Sequence, residues 1–212
     1  MSQAHSQTSG IVIHRSRLYD LIGGRFIRTT DAEILARAGV ACGDRVLDVG
    51  TGPGYLALAA SKLVAPTGAA VGIDASPEMI DRARELAARR GSQAEYLVAS
   101  AESLPFEDDS FDVVVSRLVF HHLPGDVKTQ ALGEMARVLK PAGRLLVVDL
   151  ASPTARGAHH IVAHLLGTNP DTGAVLEELV SGAGFKRLTH GRLMHGMLAG
   201  VAARSPGPGA EE

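Results

Sequence analysis

The stretch Asp48-Val49-Gly50-Thr51-Gly52-Pro53-Gly54, entered from Arg45-Val46-Leu47, leaves the backbone few paths. It reads as a buried strand, a glycine turn and a helix beginning near Tyr55. Alternate glycines let the backbone approach a ligand, because no Cβ intervenes and positive φ is accessible. The helix N-terminus that follows offers unpaired N–H groups and the positive end of a dipole. A ribose or a carboxylate group suits such a turn.

Asp74 lies twenty residues after Gly54, ending a second apolar run, Ala69-Ala70-Val71-Gly72-Ile73. In a βαβ nucleotide fold an acid there accepts hydrogen bonds from a ribose diol. The dinucleotide fingerprint Gly-x-Gly-x-x-Gly requires glycine at position 55, where Tyr55 stands. Asp48, just before the first glycine, is unsuited to a pyrophosphate and suits a ligand carrying an amine. These features favour a nucleoside over a nicotinamide dinucleotide, and so disfavour a dehydrogenase.

The chain alternates strand and helix patterns, which implies an α/β fold with a largely parallel sheet covered on both faces. Strands are expected at 44–49, 69–74, 94–98, 112–116, 143–150, 184–190 and 193–203. Helices are expected at 54–64, 76–90, 126–139 and 171–182. Ser76-Pro77-Glu78 supplies an N-cap, a first-turn proline and an acid near the dipole. Lys140-Pro141-Ala142-Gly143 ends a helix and starts the strand Leu145-Leu146-Val147-Val148. Gly182 and Gly184 mark the end of the last helix. Residues 1–10 read as a flexible N-terminus, 11–203 as one domain with a helical extension over 11–40, and 204–212 as a flexible tail.

The 212 residues suffice for one full core, and 21 Lys plus Arg against 23 Asp plus Glu imply no nucleic acid or other polyanion partner. Cys42 is the single cysteine, so no internal disulfide forms. Neither a signal-peptide pattern nor a membrane-length apolar run is present, and a cytoplasmic location is expected.

With these residues in view, the chain resembles the class I S-adenosylmethionine-dependent methyltransferases. Val46-Leu47-Asp48-Val49-Gly50-Thr51-Gly52-Pro53-Gly54 is similar to the family's first motif. Gly72-Ile73-Asp74-Ala75-Ser76-Pro77-Glu78-Met79, Leu104-Pro105-Phe106-Glu107-Asp108-Asp109-Ser110-Phe111-Asp112 and Arg137-Val138-Leu139-Lys140-Pro141-Ala142-Gly143 follow in the family's order. The likeness runs from about Tyr19 to Ala203 and is nearest the type 11 branch, with the ubiquinone and menaquinone biosynthesis enzymes. It implies a Rossmann-like three-layer sandwich, a seven-stranded mostly parallel sheet whose last strand is antiparallel. It also implies S-adenosylmethionine as methyl donor, S-adenosylhomocysteine as product, and no metal.

Carried over by residue, the resemblance assigns Gly50, Gly52, Pro53 and Gly54 to the methionine and ribose. Asp48 would order the turn or meet the amino group. Asp74, with Ala75, would hold the ribose hydroxyls, and Met79 would pack either on adenine or in the core. Ser100 stands where the family usually has an acid facing the adenine amine; Ala101 would still donate to the ring, and Glu102 can replace the acid. Arg117 falls at the methionine end, and Tyr19 either closes over it as a lid or packs structurally.

Methyl transfer needs alignment and exclusion of water, and a base only when the acceptor arrives protonated. His121 and His122, after the fourth strand, are the candidates for that base, one reaching the cleft while the other packs or caps. Asp149, ending the fifth strand, faces the acceptor or caps its loop, the second being the plainer reading. His160 and His164 share a helical face near His159, but Ile161 stands where a zinc site would need glutamate, so a lid or solvated face is expected. The short stretch between Asp149 and Asp171 leaves the cleft open to a flat or bulky small molecule, or completed by a second copy in a homodimer. The expected activity is O- or C-methylation of an aromatic or quinol-like acceptor. The alternative is a donor-binding protein of the same fold that transfers no methyl.

Overall fold

The structure, a computed structural model, describes residues 30–151, 173–193 and 198–205. In chain order the elements are α1 (Asp31–Arg37), β1 (Arg45–Val49), α2 (Tyr55–Val64), β2 (Ala69–Asp74), α3 (Pro77–Arg90), β3 (Glu95–Val98) and β4 (Phe111–Arg117). A 3-10 turn (Phe120–His122), α4 (Gly125–Val138), β5 (Leu139–Leu150), α5 (Gly173–Gly182), β6 (Lys186–Leu193) and β7 (Leu198–Arg204) follow.

The seven strands form one sheet in the order β3-β2-β1-β4-β5-β7-β6. Neighbours from β3 to β5 pair parallel, while β7 runs antiparallel to both β5 and β6. The chain leaves β1 toward β2 and later returns to the other side of β1 as β4. Ligands in open α/β sheets bind beyond the carboxyl ends of the strands at such a reversal. The glycine turn leaves β1 and the histidine turn follows β4, so both flank this crevice.

Apolar residues cover both faces, as the continuous strand runs require. Leu47, Val49, Ile73, Val114 and Val147 pack under α4 and α5 with Leu132, Met135, Leu176 and Val180. On the other face Val46, Val113, Val115, Leu146 and Val148 pack against Ile34, Leu35, Leu56 and Ala60 of α1 and α2. Asp48 shares the register of Val46, and Asp149 that of Val147. The two carboxylates therefore project toward opposite faces of the sheet at its carboxyl edge.

Local signals explain the boundaries. The Ser76 side chain accepts from the Met79 N–H, Pro77 opens α3, and Gly91 closes it in the left-handed region. Gly184 takes φ +87 just past α5. Expected boundaries shift at three strands: β6 runs to Leu193, not His190, β7 begins at Leu198, not Leu193, and β5 begins at Leu139, not Gly143. Leu139 pairs with Phe111 before the register breaks between Phe111 and Val113. Pro141 and the positive-φ Ala142 occupy this irregular start, where a missing N–H does no harm. Of the expected extension over 11–40, the described part holds α1.

Candidate functional site

Two consecutive amides, Gly50 N–H and Thr51 N–H, donate to the carbonyl of Ile73 at 2.9 and 2.8 Å, tying the glycine turn to the end of β2. Gly50, Gly52 and Gly54 all have positive φ (73, 54 and 83°). They differ in what a side chain would meet. A Cβ at Gly50 would fall 2.2 Å from Val119 Cγ2, and one at Gly54 would fall 2.7 Å from both Ala83 and Tyr96. At Gly52 it would meet nothing within 4 Å. Gly50 and Gly54 thus make room for protein, whereas the Cα of Gly52 faces open space. Pro53, between them, is buried.

Asp48 is buried and accepts from Thr51 Oγ1 at 2.6 Å. Burial pushes its carboxyl up to about 6, against the pull of the Thr51 hydrogen bond and the Arg117 charge. The Thr51 bond ties the glycine turn back to the end of β1. Arg117, at the end of β4, pairs closely with Asp31 of α1, and both side chains are almost fully enclosed. The guanidinium expected at the methionine end therefore faces a protein carboxylate. Tyr96 of β3 completes the support, donating its hydroxyl proton to the Gly54 carbonyl at 2.9 Å.

Asp74 accepts Gly52 N–H on one carboxylate oxygen and Ser76 N–H on the other, each at 2.9 Å. Burial raises its pKa while these two bonds oppose the rise. An ionised carboxylate has about four acceptor positions, so each oxygen keeps one for a ribose hydroxyl. Ala75 is partly buried and Met79 buried on the first turn of α3. Ser100, Ala101 and Glu102, all partly buried, follow β3, with Ser100 bridged to Ser103. Open space at Gly52 beside a carboxylate with spare acceptors fits a nucleoside with a free diol.

The histidine turn is built against this cradle. Leu118 takes φ +58 and donates its N–H to Val148 O at 2.8 Å, turning the chain sharply after β4. Val119 then packs on Gly50. His121 N–H donates to Asp149 Oδ2 at 3.1 Å, and His121 Nδ1 lies 2.6 Å from Asp149 Oδ1. Both side chains are enclosed, 7 % and 1 % exposed. The rings of His121 and His122 lie 3.8 Å apart at 44°. Burial, then the neighbouring His121, pushes His122 down to about 4, so it is neutral near pH 7.

Sequence reasoning named the glycine turn, Asp74, His121 and His122, which the sheet order brings to its carboxyl edge. It did not name Asp31 or Tyr96, which carry no motif, and it read Asp149 as a loop cap, which the bonds from His121 N–H and Leu150 N–H fit, without its contact to the His121 ring 28 residues away. Tyr19, His159, His160 and His164 lie outside the described residues. Among the described residues no three His, Cys, Asp or Glu side chains cluster as metal ligands.

Known proteins share this chain's sequence pattern and its fold. A family described as a methyltransferase domain matches residues 46–143. The ubiquinone/menaquinone biosynthesis C-methyltransferase UbiE of Pseudomonas putida is 31% identical, over 87% of this chain and 80% of that protein. The uncharacterized methyltransferase YcgJ of Bacillus subtilis is 43% identical over 57% of this chain, a match spanning 46% of that protein. Among solved structures, a SAM-dependent methyltransferase from Aquifex aeolicus superposes with TM-score 0.75 at 23% identity, over 92% of this chain and all of that one. The [4+2]-cyclase SpnF superposes with TM-score 0.74 at 21% identity, over 85% and 81%. This chain belongs to the class I S-adenosylmethionine-dependent methyltransferases.

Proposed function

We propose that the protein methylates a small organic acceptor, an aromatic or quinol-like compound, at oxygen or carbon. The observation that carries this reading is the seating of Val119 on Gly50, which sets the His121 turn beside the donor cradle. The likeness to a quinone-pathway C-methyltransferase supports the acceptor class.

S-Adenosylmethionine would supply a methyl group on a positively charged sulfur. Asp74 would hold the ribose diol, with bonds stronger than neutral ones because the acceptor is charged. The Gly52 peptide would line the ligand, while Asp48, Thr51 and Tyr96 hold the turn rigid. Neutral His122 adds no positive charge beside the sulfonium. Alignment and exclusion of water by these groups supply much of the acceleration in an in-line displacement. The same reading takes residues 11–203 as one domain acting in the cytoplasm. Among the described residues no helix is long and apolar enough to cross a membrane.

A second reading, a donor-binding protein that transfers no methyl, is favoured by Ser100 in place of the adenine-facing acid. Incubation with methyl-labelled donor and a panel of phenols, quinols, amines and thiols separates the two. Label in an organic product supports methylation; nucleoside binding without transfer to any of them supports the second reading.

A further inference from the structure

We infer that Asp149 and His121 form a base dyad, and that the acceptor is therefore a compound with an ionisable hydroxyl, a phenol or an enol, whose proton passes to His121 Nε2. This rests on the methyltransferase reading above.

The Asp149 carboxylate is wholly enclosed and lies within hydrogen-bond distance of three groups: His121 N–H at 3.1 Å, His121 Nδ1 at 2.6 Å and Leu150 N–H at 2.6 Å. A carboxylate this close to Nδ1 fixes the neutral imidazole with its proton on Nδ1 and its lone pair on Nε2. Among the described residues Nε2 has no hydrogen-bond partner. Among the described residues no buried side-chain nitrogen or oxygen lacks one, so Nε2 is not fully enclosed. The dyad also sits on the turn whose Val119 touches Gly50, on the donor side.

A base oriented this way has a use only if the acceptor arrives protonated. A phenolic hydroxyl, pKa about 10, is largely protonated at neutral pH and gains most from losing its proton in the transition state. Asp149 stabilises the imidazolium that then forms. The acceptor's O–H bond breaks with its proton going to Nε2. The freed pair on oxygen forms the new bond to the methyl carbon, and the pair of the broken carbon–sulfur bond stays on the sulfur of the sulfonium donor, giving a thioether. If the attack comes from a conjugated ring carbon, the resulting dienone loses the proton from that carbon and regains one on oxygen. Either way one acceptor proton is exchanged for methyl and is finally released to water.

Three proteins test this: wild type, Asp149→Asn and His121→Gln. S-Adenosylhomocysteine affinity is measured by calorimetry. Turnover is measured near pH 8 for phenols ranging from nitrophenols, largely ionised there, to alkylphenols, which are protonated. The dyad predicts donor-product affinity within about twofold of wild type in both variants. It predicts a turnover loss of about a hundredfold or more for alkylphenols, shrinking to less than about threefold for nitrophenols. His121→Gln carries the test alone if Asp149→Asn does not fold. An equal loss across the phenols would reduce both residues to structural roles and overturn the inference. Wild-type transfer confined to amines or thiols would overturn the hydroxyl assignment while the methyltransferase reading stands. Absence of nucleoside binding would instead remove the reading beneath it.

Discussion

Asp48 and His122 bracket the cleft with opposite titrations. Asp48 rises from 3.8 to about 6 in the folded protein. The native state therefore binds its proton more tightly than the unfolded chain, and stability from this group grows as pH falls from 6 toward 3.8. His122 falls from 6.5 to about 4, so its contribution is lost over nearly the same window as pH falls. The two effects oppose each other in the wild type and separate in variants. Acid titration of stability by urea unfolding should show this. Asp48→Asn should lose on the order of 2 kcal/mol relative to wild type between pH 7 and 4, and His122→Gln should gain a smaller amount, because solvent screens its partly exposed ring. A difference from wild type that is flat with pH in both variants would contradict these environments. Asp48 stood out in the sequence from its place before the glycines. Its burial against Thr51, Arg117 and Asp31 was not, because α1 carries no motif.

At the scale of elements, the glycine turn divides its labour, which one pattern of glycines does not reveal. Gly54→Ala puts a Cβ against Tyr96 and Ala83 at positive φ, and should destabilise the fold by about 2–4 kcal/mol in denaturant titration. Gly52→Ala meets open space; it should lose less stability and more affinity for S-adenosylhomocysteine. The reverse order would mean that Gly52 does not face the ligand. Two segments far apart in the chain, around Leu104 and Arg137, are held together by specific bonds. Arg137 donates to the carbonyls of Leu104 and Phe106 at 3.0 and 2.8 Å, and Glu134 accepts from Leu104 N–H at 2.7 Å. Lys140 pairs with Asp112 at 2.8 Å. The loop before β4 is thus clamped to the end of α4. Arg137→Ala leaves two carbonyls and two carboxylates without this partner, and should cost about 2–3 kcal/mol of stability with donor-product affinity little changed. Thermal unfolding and calorimetry together check this.

Across the whole molecule, the parallel half of the sheet was readable from apolar runs punctuated by Gly and Pro. Val46-Leu47, Val71-Gly72-Ile73 and Val113-Val114-Val115 are buried on both faces, so they show no alternation and read as central strands. The antiparallel β7 was legible only through family resemblance, since periodicity does not encode strand direction. The start of β5 was misplaced because Pro141 stops a helix and also fits an irregular strand start. The sheet order brings the glycine turn, Asp74 and the His121 turn to one crevice from β1, β2 and β4. Sequence spacing alone showed that each segment suited a ligand, not that Val119 would bind two of them together.

The most direct test of a nucleoside cradle at this crevice is calorimetric titration of wild type and Asp74→Ala with S-adenosylhomocysteine, using a reduced nicotinamide dinucleotide as control. Wild type should bind the nucleoside in the micromolar range and ignore the dinucleotide. Asp74→Ala should bind it about tenfold or more weakly, on the scale of losing charged hydrogen bonds. Equal affinity in the two proteins would contradict the ribose assignment, and no binding by wild type would contradict the cradle itself.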